Sequence, residues 1–482
     1  MGCAALLAMA APAGAQTTVT PPATVPTLPM PATTPTPAAT PQALPRLSST
    51  QLRQLAKLIA DDEVSQGLRR TPRDLSRMDE ATLVRIALDH ARAVRSGRLM
   101  ASDFDRDWGI RPPAFDPVPG FVDAVTRDRL ANWVRSLPPP YVGYDALAAG
   151  LARYRAIAAD GGWPVLTKAP VYGTRSPEVT QLRARLAAED PGVARNGGDY
   201  FDSALLDAVR RAQRRYGLNP VGTVGDQTLA ALNVPVTRRI EQITANMERW
   251  RWLPPELDRR RVQVNIAAAV LTVFDGDAPI MSMRAVTGRP GNETPMLVSK
   301  INSIVINPPW NVPDTIATRE LWPKERANPG YLKRAGFRVI ETPGGGKRLQ
   351  QASENSALGK FKFDFPNDFA VYLHDTPARS GFAKFDRLAS HGCVRLEKPG
   401  ELAKLLMATT PQWQPGAIDA AVAAGKTVRA QMAEPVTVYL LYWSAFADAK
   451  GMVGFRDDPY GWDGKLAATV ERRSTAQALA AN

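Results

Sequence analysis

Two histidines and a cysteine lie together in the segment FAVYLHDTPARSGFAKFDRLASHGCVRL, residues 369–396. A thiol is nucleophilic as its thiolate, so it needs a neighbouring base or cation near neutral pH. His374 can take that proton and later return it to a leaving amine. Fifteen residues separate His374 from Ser390, which is enough chain to loop back and bring the imidazole to Cys393. This spacing favours nucleophilic catalysis.

The residues beside the cysteine suit the same chemistry. Gly392 lets the backbone approach a substrate closely, and the amides of Gly392 and Cys393 are candidate donors to an oxyanion. Arg395 can steady a carboxylate or favour the thiolate. Two other interpretations stay open at this point: an inert buried thiol, or a zinc site built from both histidines, the cysteine and Asp375.

Strand periodicity predicts where the first histidine lies. Residues 369–373 read as a strand in which Ala370, Tyr372 and His374 share one face. His374 then sits at the strand end, because Asp375-Thr376-Pro377 must turn.

The composition limits the class of protein. The chain has 482 residues, a formal charge of +13 and a hydrophobic fraction of 44%, which supports folded cores. After residue 45 no run of about 18 uncharged apolar residues occurs, which excludes an internal membrane span. Two cysteines exclude a disulfide framework and a cysteine-rich metal site. The positive charge suits anionic wall polymers or lipid head groups, and no nucleic-acid motif accompanies it.

The first 46 residues are predicted to direct and tether the chain. Residues 1–15 are typical of a signal peptide without its basic start, so a truncated signal or a bland alanine-rich tail are the two interpretations. Residues 16–46 are rich in Pro, Thr and Ala and predict an extended linker. Loss of Cys3 with the signal leaves Cys393 as a lone thiol in an oxidising compartment.

Helical spacing dominates residues 47–175, a predicted scaffold domain. Leu52, Leu55 and Ile59 follow a cap region at residues 48–50, and residues 83–91 repeat the pattern. We expect His90, near the end of this second helix, to be a surface or last-turn residue close to the helix dipole.

Residues 176–235 predict three short helices, which begin near Ser176-Pro177, Asp202-Ser203 and Gly225-Asp226. The spacing of Val179, Leu182 and Leu186, with AVRRAQRRYG (208–217) and GTVGDQTLAALN (222–233), resembles the small peptidoglycan-binding domain of bacterial wall enzymes. Ala212 stands where that domain has an aromatic residue. A connecting helix is predicted over residues 236–260.

From residue 261 the period changes to two. Val262, Val264 and Ile266 alternate, and the turn Asp275-Gly276-Asp277 indicates a hairpin. We therefore predict a β-rich domain over residues 261–445 and a C-terminal extension over residues 446–482. The fold class is multidomain α+β.

The β-rich domain resembles the L,D-transpeptidase catalytic domain. SHGCVRLEKP (390–399), NPPWNVP (307–313) and NSALGKFKFDFPNDFAVYLHDTP (355–377) are similar to the large Gram-negative, periplasmic branch of this murein-modifying family. That branch combines a helical scaffold, a peptidoglycan-binding domain and a catalytic domain with a lid. The insertion at about residues 312–358 matches the lid region.

The resemblance implies roles for individual residues. Cys393 would be the nucleophile and His374 the proton donor and acceptor, oriented by Asp375 or by a nearby backbone carbonyl. Ser390, His391 and Gly392 would support the motif, and Arg395 stands where many members have Asn. No metal or organic cofactor is implied.

The implied reaction is acyl transfer through a thioester. Cys393 would attack the L-centre of meso-diaminopimelate in a tetrapeptide stem, release D-Ala and pass the acyl group to a second stem as a 3→3 cross-link, with carbapenems as acylating inhibitors. Water or a free D-amino acid as acceptor would make a carboxypeptidase, an endopeptidase or an exchange enzyme instead. A wall-binding scaffold is the non-enzyme alternative. The expected location is the periplasm, and the expected partners are peptidoglycan stems and other wall-synthesis enzymes.

Overall fold

The computed structural model describes residues 44–447 and 451–479. The predicted signal peptide (1–15) and all but the last three residues of the predicted linker (16–46) lie outside the described residues. From Pro45 onward the chain forms one unit by its internal contacts. None of the described helices has the length and apolar content that crossing a bilayer requires.

The first part of the chain is helical, as predicted. Its helices are α1 Ser49–Ser65, α2 Glu80–Ser96, α3 Val118–Thr126, α4 Leu130–Arg135 and α5 Val142–Ala159. Ser48 caps α1, and its side chain and that of Gln51 bond reciprocally to each other's backbone amides. Leu55 and Ile59 are fully buried, which confirms the predicted apolar face of α1.

The expectation for His90 is wrong. His90 lies on α2 and is fully buried, with its Nε2 2.7 Å from the Asp62 carboxylate on α1. The partner on the other helix explains the burial, because a polar ring can enter a core when a carboxylate satisfies it.

Four further helices follow: α6 Pro177–Ala187, α7 Ser203–Arg215, α8 Asp226–Asn233 and α9 Val236–Arg251. The three predicted starts are confirmed, since Ser176, Asp202 and Gly225 are the N-cap residues of α6, α7 and α8. The side chain of Asp202 accepts a hydrogen bond from the amide of Leu205, which stabilises the start of α7.

The β-rich domain is a sheet whose pairings close into a ring. Its strands are β1 Arg260–Asn265, β2 Val270–Asp275, β3 Ala278–Gly288, β4 Leu297–Ile306, β8 Phe361–Asp364, β9 Leu373–His374, β10 Leu388–Ser390, β11 Val394–Leu396 and β12 Val428–Leu441. They pair in the order β10-β3-β11-β9-β8-β4-β12-β1-β2, and β2 also pairs with β3. Helices α13 Pro399–Met407 and α14 Pro415–Ala423 lie in sequence between β11 and β12. The predicted hairpin is confirmed as β2 and β3.

The predicted strand over residues 369–373 is mostly wrong. Only Leu373 and His374 pair as a strand, and the chain before them is irregular. Ala370 has φ +53°, in the left-handed region, which interrupts an extended chain. Asn367 takes over part of the backbone bonding, because its side chain accepts from the amides of Phe369 and Val371.

The predicted lid insertion (about 312–358), together with residues 310–311 before it, folds around its own small core. It contains a three-stranded sheet and short helices: β5 Trp310–Asn311, β6 Phe337–Glu341, β7 Lys347–Gln351, α10 Asp314–Ile316, α11 Trp322–Ala327 and α12 Tyr331–Arg334. Residues Ala317–Leu321 form a π-helical turn. A separate buried cluster holds these pieces together: Val312, Ala317, Leu321, Leu332 and Leu349.

The C-terminal segment returns to the helical part of the molecule. It comprises β13 Ala445–Ala447, β14 Val453–Phe455 and α15 Trp462–Leu479, and α15 packs on α9. At this contact Arg249 of α9 and Asp463 of α15 form a buried ion pair, with nitrogen and oxygen 2.6 Å apart. The segment is therefore part of the folded body.

Removal of the Asp463 carboxylate is expected to loosen this contact. Asp463→Ala leaves the Arg249 charge buried without its carboxylate, and breaking a buried pair costs about 3–5 kcal/mol. We expect the midpoint of thermal unfolding to fall by several degrees in differential scanning calorimetry. Asp61→Ala, which breaks the exposed pair with Lys57, is the matched control and should leave the midpoint nearly unchanged. Equal midpoints for the two variants would contradict the importance of the buried pair.

Candidate active site

The parallel pairing of β9 with β11 assembles the site. Leu373 pairs with Val394, and His374 pairs with Arg395. Side chains alternate between the two faces of a strand, so Leu373 and Val394 point to one side and are fully buried. The opposite side carries His374 and Arg395, together with Tyr372 and Cys393, which lie two residues before them. The shared face predicted for Tyr372 and His374 agrees with their rings, whose centroids are 5.6 Å apart.

His374 is held by the main chain that follows it. Its Nδ1 lies 2.5 Å from the backbone carbonyl oxygen of Asp375. A carbonyl oxygen can only accept, so Nδ1 carries the proton and Nε2 keeps its lone pair. Burial lowers the pKa of His374 to about 3, helped by the charge of Arg395 and opposed by the hydrogen bond to Asp375. The imidazole is therefore a neutral base at physiological pH.

The Asp375 side chain has a different task. Its carboxylate accepts hydrogen bonds from the amides of Lys360 and Thr376, both at 2.7 Å, and pairs with Arg379 at 3.3 Å. These bonds fix the turn after β9. That turn positions the backbone carbonyl that orients His374. The imidazole is therefore oriented by the backbone carbonyl of Asp375 and not by the Asp375 side chain.

The Cys393 thiol is half-buried beside Tyr372. Burial raises the pKa of the Cys393 thiol, while hydrogen bonds from the backbone and side chain of Tyr372 act in the opposite direction. Burial and the neighbouring thiol also raise the pKa of Tyr372, so its hydroxyl keeps its proton. Trp310 of β5, which directly precedes the predicted lid, acts in the opposite direction and lowers the pKa of the same hydroxyl, so it is a neighbour of Tyr372.

The motif loop leaves one amide available. Ser390 Oγ donates to the carbonyl oxygen of Cys393 at 2.5 Å and accepts from the amide of Gly392 at 3.1 Å. The Gly392 amide, predicted as an oxyanion donor, is therefore already bonded. Within residues 44–447 and 451–479 no acceptor is found for the amide of Cys393. Of the two predicted donors, the Cys393 amide is the one that the geometry leaves for a substrate.

Positive charge surrounds the thiol. Arg395 and Lys362 both act to lower the pKa of Cys393, although burial outweighs them. Lys362 pairs in register with His374, lies 4.5 Å from the Tyr372 ring centroid, and is neutralised by Asp364 at 2.7 Å. For Arg395, no carboxylate of the described residues lies within ion-pair distance. Its charge is the one on this face left for a substrate.

His391 points to the lid instead of joining the thiol. Its Nε2 lies 2.6 Å from the carboxylate of Glu320 in the π-helical turn, and the guanidinium of Arg289 is 3.2 Å from the same nitrogen. Arg289 also lies 3.4 Å from Glu320. The hydrogen bond to His391 lowers the pKa of the Glu320 carboxyl, with a smaller contribution from Arg289. We call Glu320, His391 and Arg289 the lid contact.

These positions bear on the two open interpretations of the cysteine. Among the described residues no group of three or more His, Cys, Asp or Glu side chains is arranged to hold a metal ion. The second histidine of the zinc hypothesis is bonded to Glu320. A thiol bonded to a tyrosine hydroxyl, on the same face as an oriented imidazole, is also unlike an inert core cysteine.

Sequence reasoning missed several residues that complete this site. The sequence pattern indicates for Tyr372 only the face that it shares with His374, and its position two residues before a strand-end histidine is the signal that it flanks the imidazole. Trp310 lies in the segment NPPWNVP, where residue spacing gives it no role. Glu320 and Arg289 lie 71 and 102 residues from His391, so no local spacing could connect them.

The lowered pKa of His374 predicts a pH-dependent stability. The unfolded imidazole binds a proton below its ordinary pKa of 6.5, whereas the folded one resists protonation down to about 3. Its neutral burial therefore stabilises the fold fully above pH 6.5, and that contribution is lost as the pH falls from 6.5 towards 3. Thermal midpoints of the wild type should fall more between pH 7 and pH 4.5 than those of His374→Gln. Parallel curves for the two proteins would contradict this prediction.

The lid contact predicts that Glu320 limits access to the thiol. Glu320→Ala removes the carboxylate that bonds to His391, so we expect alkylation of Cys393 by iodoacetamide at pH 7 to become several-fold faster. Glu341→Ala, a change at an exposed position of the same lid, is the matched control and should react like the wild type. An unchanged rate in Glu320→Ala would mean that this contact does not restrict the lid.

Three family models match the chain in order. Residues 44–151 match a "Scaffold domain", residues 175–232 a "Putative peptidoglycan binding domain", and residues 259–422 the "L,D-transpeptidase catalytic domain" of the YkuD family. A curated protein of Haemophilus influenzae named "Putative L,D-transpeptidase" is 31% identical over 243 residues, which are 47% of this chain and 49% of that protein. The chain thus matches about half the length of this relative.

Solved structures give a weaker comparison. An L,D-transpeptidase from Stackebrandtia nassauensis has 15% identity and a TM-score of 0.23, covering 56% of this chain and 94% of that one. One from Xylanimonas cellulosilytica has 17% identity and a TM-score of 0.18, covering 58% and 100%. The chain is built from a scaffold domain, a peptidoglycan-binding domain and an L,D-transpeptidase catalytic domain of the YkuD family.

Proposed function

We propose that this protein is a periplasmic L,D-transpeptidase that forms 3→3 cross-links in peptidoglycan by acyl transfer through Cys393. The observation that carries the proposal is the face that His374 of β9 shares with Tyr372 and Cys393, which directly precede β9 and β11, inside the matched catalytic domain. The peptidoglycan-binding match supports a wall polymer as the substrate. A signal peptide at residues 1–15 would provide export.

The first half-reaction forms a thioester. The Cys393 sulfur attacks the carbonyl carbon at the L-centre of diaminopimelate in the donor tetrapeptide, and Nε2 of His374 takes the thiol proton. Collapse of the tetrahedral intermediate breaks the bond to D-Ala, and His374 returns the proton to the leaving amine. D-Ala departs with a complete amino group, and the stem remains bonded to sulfur.

The uncharged forms of Cys393 and His374 before the reaction determine when the thiol proton is transferred. Burial raises the pKa of the Cys393 thiol and lowers that of His374, so both groups favour their uncharged forms. A preformed thiolate–imidazolium pair is therefore disfavoured in the closed site. The proton transfers as the sulfur attacks, when the developing charge moves onto the substrate oxygen.

Two groups support the proposal as donors to that oxygen. The amide of Cys393 is unbonded within the described residues, and the Tyr372 hydroxyl remains protonated beside the thiol. Both can donate to an oxyanion formed on a carbonyl that the sulfur has attacked, which is where such donors have the largest effect on rate. Arg395 is available to pair with a carboxylate of the stem.

The second half-reaction consumes the thioester. The side-chain amine of a second stem, in its neutral form, attacks the thioester carbon while His374 accepts the proton released from nitrogen. The carbon–sulfur bond breaks, and His374 returns the proton to the Cys393 sulfur. The product is an amide between two third-position residues, and the enzyme is restored without a cofactor.

The acceptor distinguishes the alternative activities. Water would release a tripeptide, and a free D-amino acid would replace D-Ala at the same thioester. The lid contact at His391 favours exclusion of water during the thioester stage, which supports an amine acceptor. The half-buried Cys393 thiol is also the group that carbapenem-type β-lactams would acylate. A protein that only bound the cell wall would not need a thiol, an oriented imidazole and a protonated tyrosine hydroxyl on one face.

Cys393→Ala is expected to abolish D-Ala release and dimer formation from disaccharide-tetrapeptide, measured by mass spectrometry. His374→Gln should lower D-Ala release by about 10²–10⁴-fold because the positioned base is lost. Tyr439→Phe removes a buried hydroxyl three strands from β9 and serves as the control with the wild-type rate.

Two outcomes would change the proposal. D-Ala release by folded Cys393→Ala would mean that another group is the nucleophile. Tripeptide without dimer from the wild type would identify the protein as an L,D-carboxypeptidase. Circular dichroism on each variant separates loss of chemistry from loss of fold.

A further inference from the structure

A threonine outside the signature motif holds the peptide bond that precedes the nucleophile. The hydroxyl of Thr294 donates to the carbonyl oxygen of Gly392 at 2.7 Å and accepts from the amide of Gly288 at 2.8 Å. Thr294 is 0% exposed. The amide of Gly288 therefore aligns the Thr294 hydroxyl, which points its proton at the Gly392 carbonyl oxygen without competition from water.

The Gly392 carbonyl and the Cys393 amide belong to one peptide unit. A trans peptide is planar, so its C=O and N–H point in opposite directions. A bond that fixes the Gly392 oxygen therefore fixes the direction of the Cys393 N–H. Gly392 has φ +107°, a conformation that leaves other residues strained, and a Cβ there would lie 3.2 Å from the Glu293 carbonyl. Because glycine lets the Gly392–Cys393 peptide unit rotate easily, a separate hydrogen bond is needed to hold that peptide in one orientation.

A tyrosine from the C-terminal segment anchors Thr294. The hydroxyl of Tyr460 donates to the carbonyl oxygen of Gly288 at 2.6 Å and accepts from the amide of Thr294 at 3.2 Å. Burial raises the pKa of Tyr460 to about 12, so the hydroxyl keeps the proton that it donates. The Tyr460 ring stacks on Tyr442 and meets the edge of Trp462, with centroids 5.2 and 4.8 Å apart.

The scaffold domain closes on the same loop from another side. Trp108 forms a bridge with Met296, and backbone bonds of 2.8 Å join Gly109 to Met296 and Met296 to Asp107. A Cβ at Gly109 would lie 2.7 Å from the Met296 carbonyl, so the two chains are in close contact. Trp108 also packs edge-on against Trp462. The loop from Gly288 to Met296 is thus clamped between the scaffold and the C-terminal segment.

We propose that Thr294, held by Tyr460, is a positioning residue that aims the Cys393 amide at the oxyanion of the acyl-transfer step. The proposal rests on the proposed function of Cys393 and assigns a role in catalysis to the segment beyond the matched catalytic domain. The C-terminal segment acts on the reaction through two hydrogen-bonding side chains and touches no reacting atom.

The test compares variants that remove single hydroxyl groups. Thr294→Val keeps the shape and removes the bond to Gly392, and Thr294→Ser restores it. Tyr460→Phe removes the anchor of Thr294. Thr410→Val and Tyr439→Phe are matched controls, because each removes one buried hydroxyl that bonds elsewhere, to Ala433 and to Asp258.

The kinetic expectation is a change in kcat without a matching change in KM. For D-Ala release from disaccharide-tetrapeptide, we expect Thr294→Val to lower kcat by about 10–100-fold, less than the loss of a whole oxyanion donor. Tyr460→Phe should lower kcat by a smaller factor, and Thr294→Ser should recover most of the wild-type value. Wild-type kcat in Thr294→Val would overturn the proposal.

A spectroscopic readout reports the peptide directly. Full-length protein labelled with ¹³C at glycine carbonyls and ¹⁵N at cysteine gives peaks only for Gly2-Cys3 and Gly392-Cys393, and Cys393→Ser assigns the second. The Gly392-Cys393 peak should move in Thr294→Val and Tyr460→Phe, return in Thr294→Ser, and stay in place in both controls. A peak that does not move in Thr294→Val overturns the proposal, even if kcat falls.

The two proposals fail separately. If the wild type releases no D-Ala, the acyl-transfer function is wrong, whereas the peak shift still decides whether Thr294 holds the peptide. If the wild type is active and Thr294→Val matches it, the acyl-transfer function stands and the positioning role is wrong.

Discussion

The pairing of two short parallel strands is the constraint on which this site depends. Because β9 and β11 run side by side in register, alternation of side chains places Tyr372, His374, Cys393 and Arg395 on one face. The other face contributes Leu373, Val394 and Leu396 to the core, where each is fully buried. Slippage by one residue would bring the charged and polar side chains of this face into the core, so hydrophobic burial fixes the register that keeps them together.

Short strands alone cannot hold such a register. Each contributes only two or three paired residues, and the chain before β9 is irregular. Their neighbours supply the missing stability: β8 and β3 flank them in the sheet, Asp375 fixes the turn after His374, and Ser390 closes the motif loop on itself. The site is rigid because each of its loops is bonded to a framework element.

The sequence was sufficient where the determining interactions are local. Caps at Ser48, Ser176 and Asp202, the hairpin at β2 and β3, and the alternation around His374 all follow from residues a few positions apart. Where the determining partner is remote, the sequence could not show it. His90 is buried because Asp62 meets it from another helix, and residues 369–372 leave the strand because Asn367 bonds their backbone.

The same distinction applies to the candidate site. Cys393 and His374 could be identified from residue type and spacing, and the resemblance to a family supplied their roles. The group that orients His374 is a carbonyl, which has no sequence signature. Thr294 reaches Gly392 across 98 residues and Tyr460 reaches Thr294 across 166, so only the folded chain brings them together.

The separate core of the lid has a thermodynamic consequence. Its cluster around Leu321, Leu332 and Leu349 is small, so this insertion should unfold locally at a lower free energy than the sheet that carries the thiol. Warming would therefore melt the lid while the sheet that carries the thiol remains folded. The temperature at which the thiol becomes freely accessible would then be set by a subdomain of a few dozen residues, and it would lie below the temperature at which the whole chain denatures.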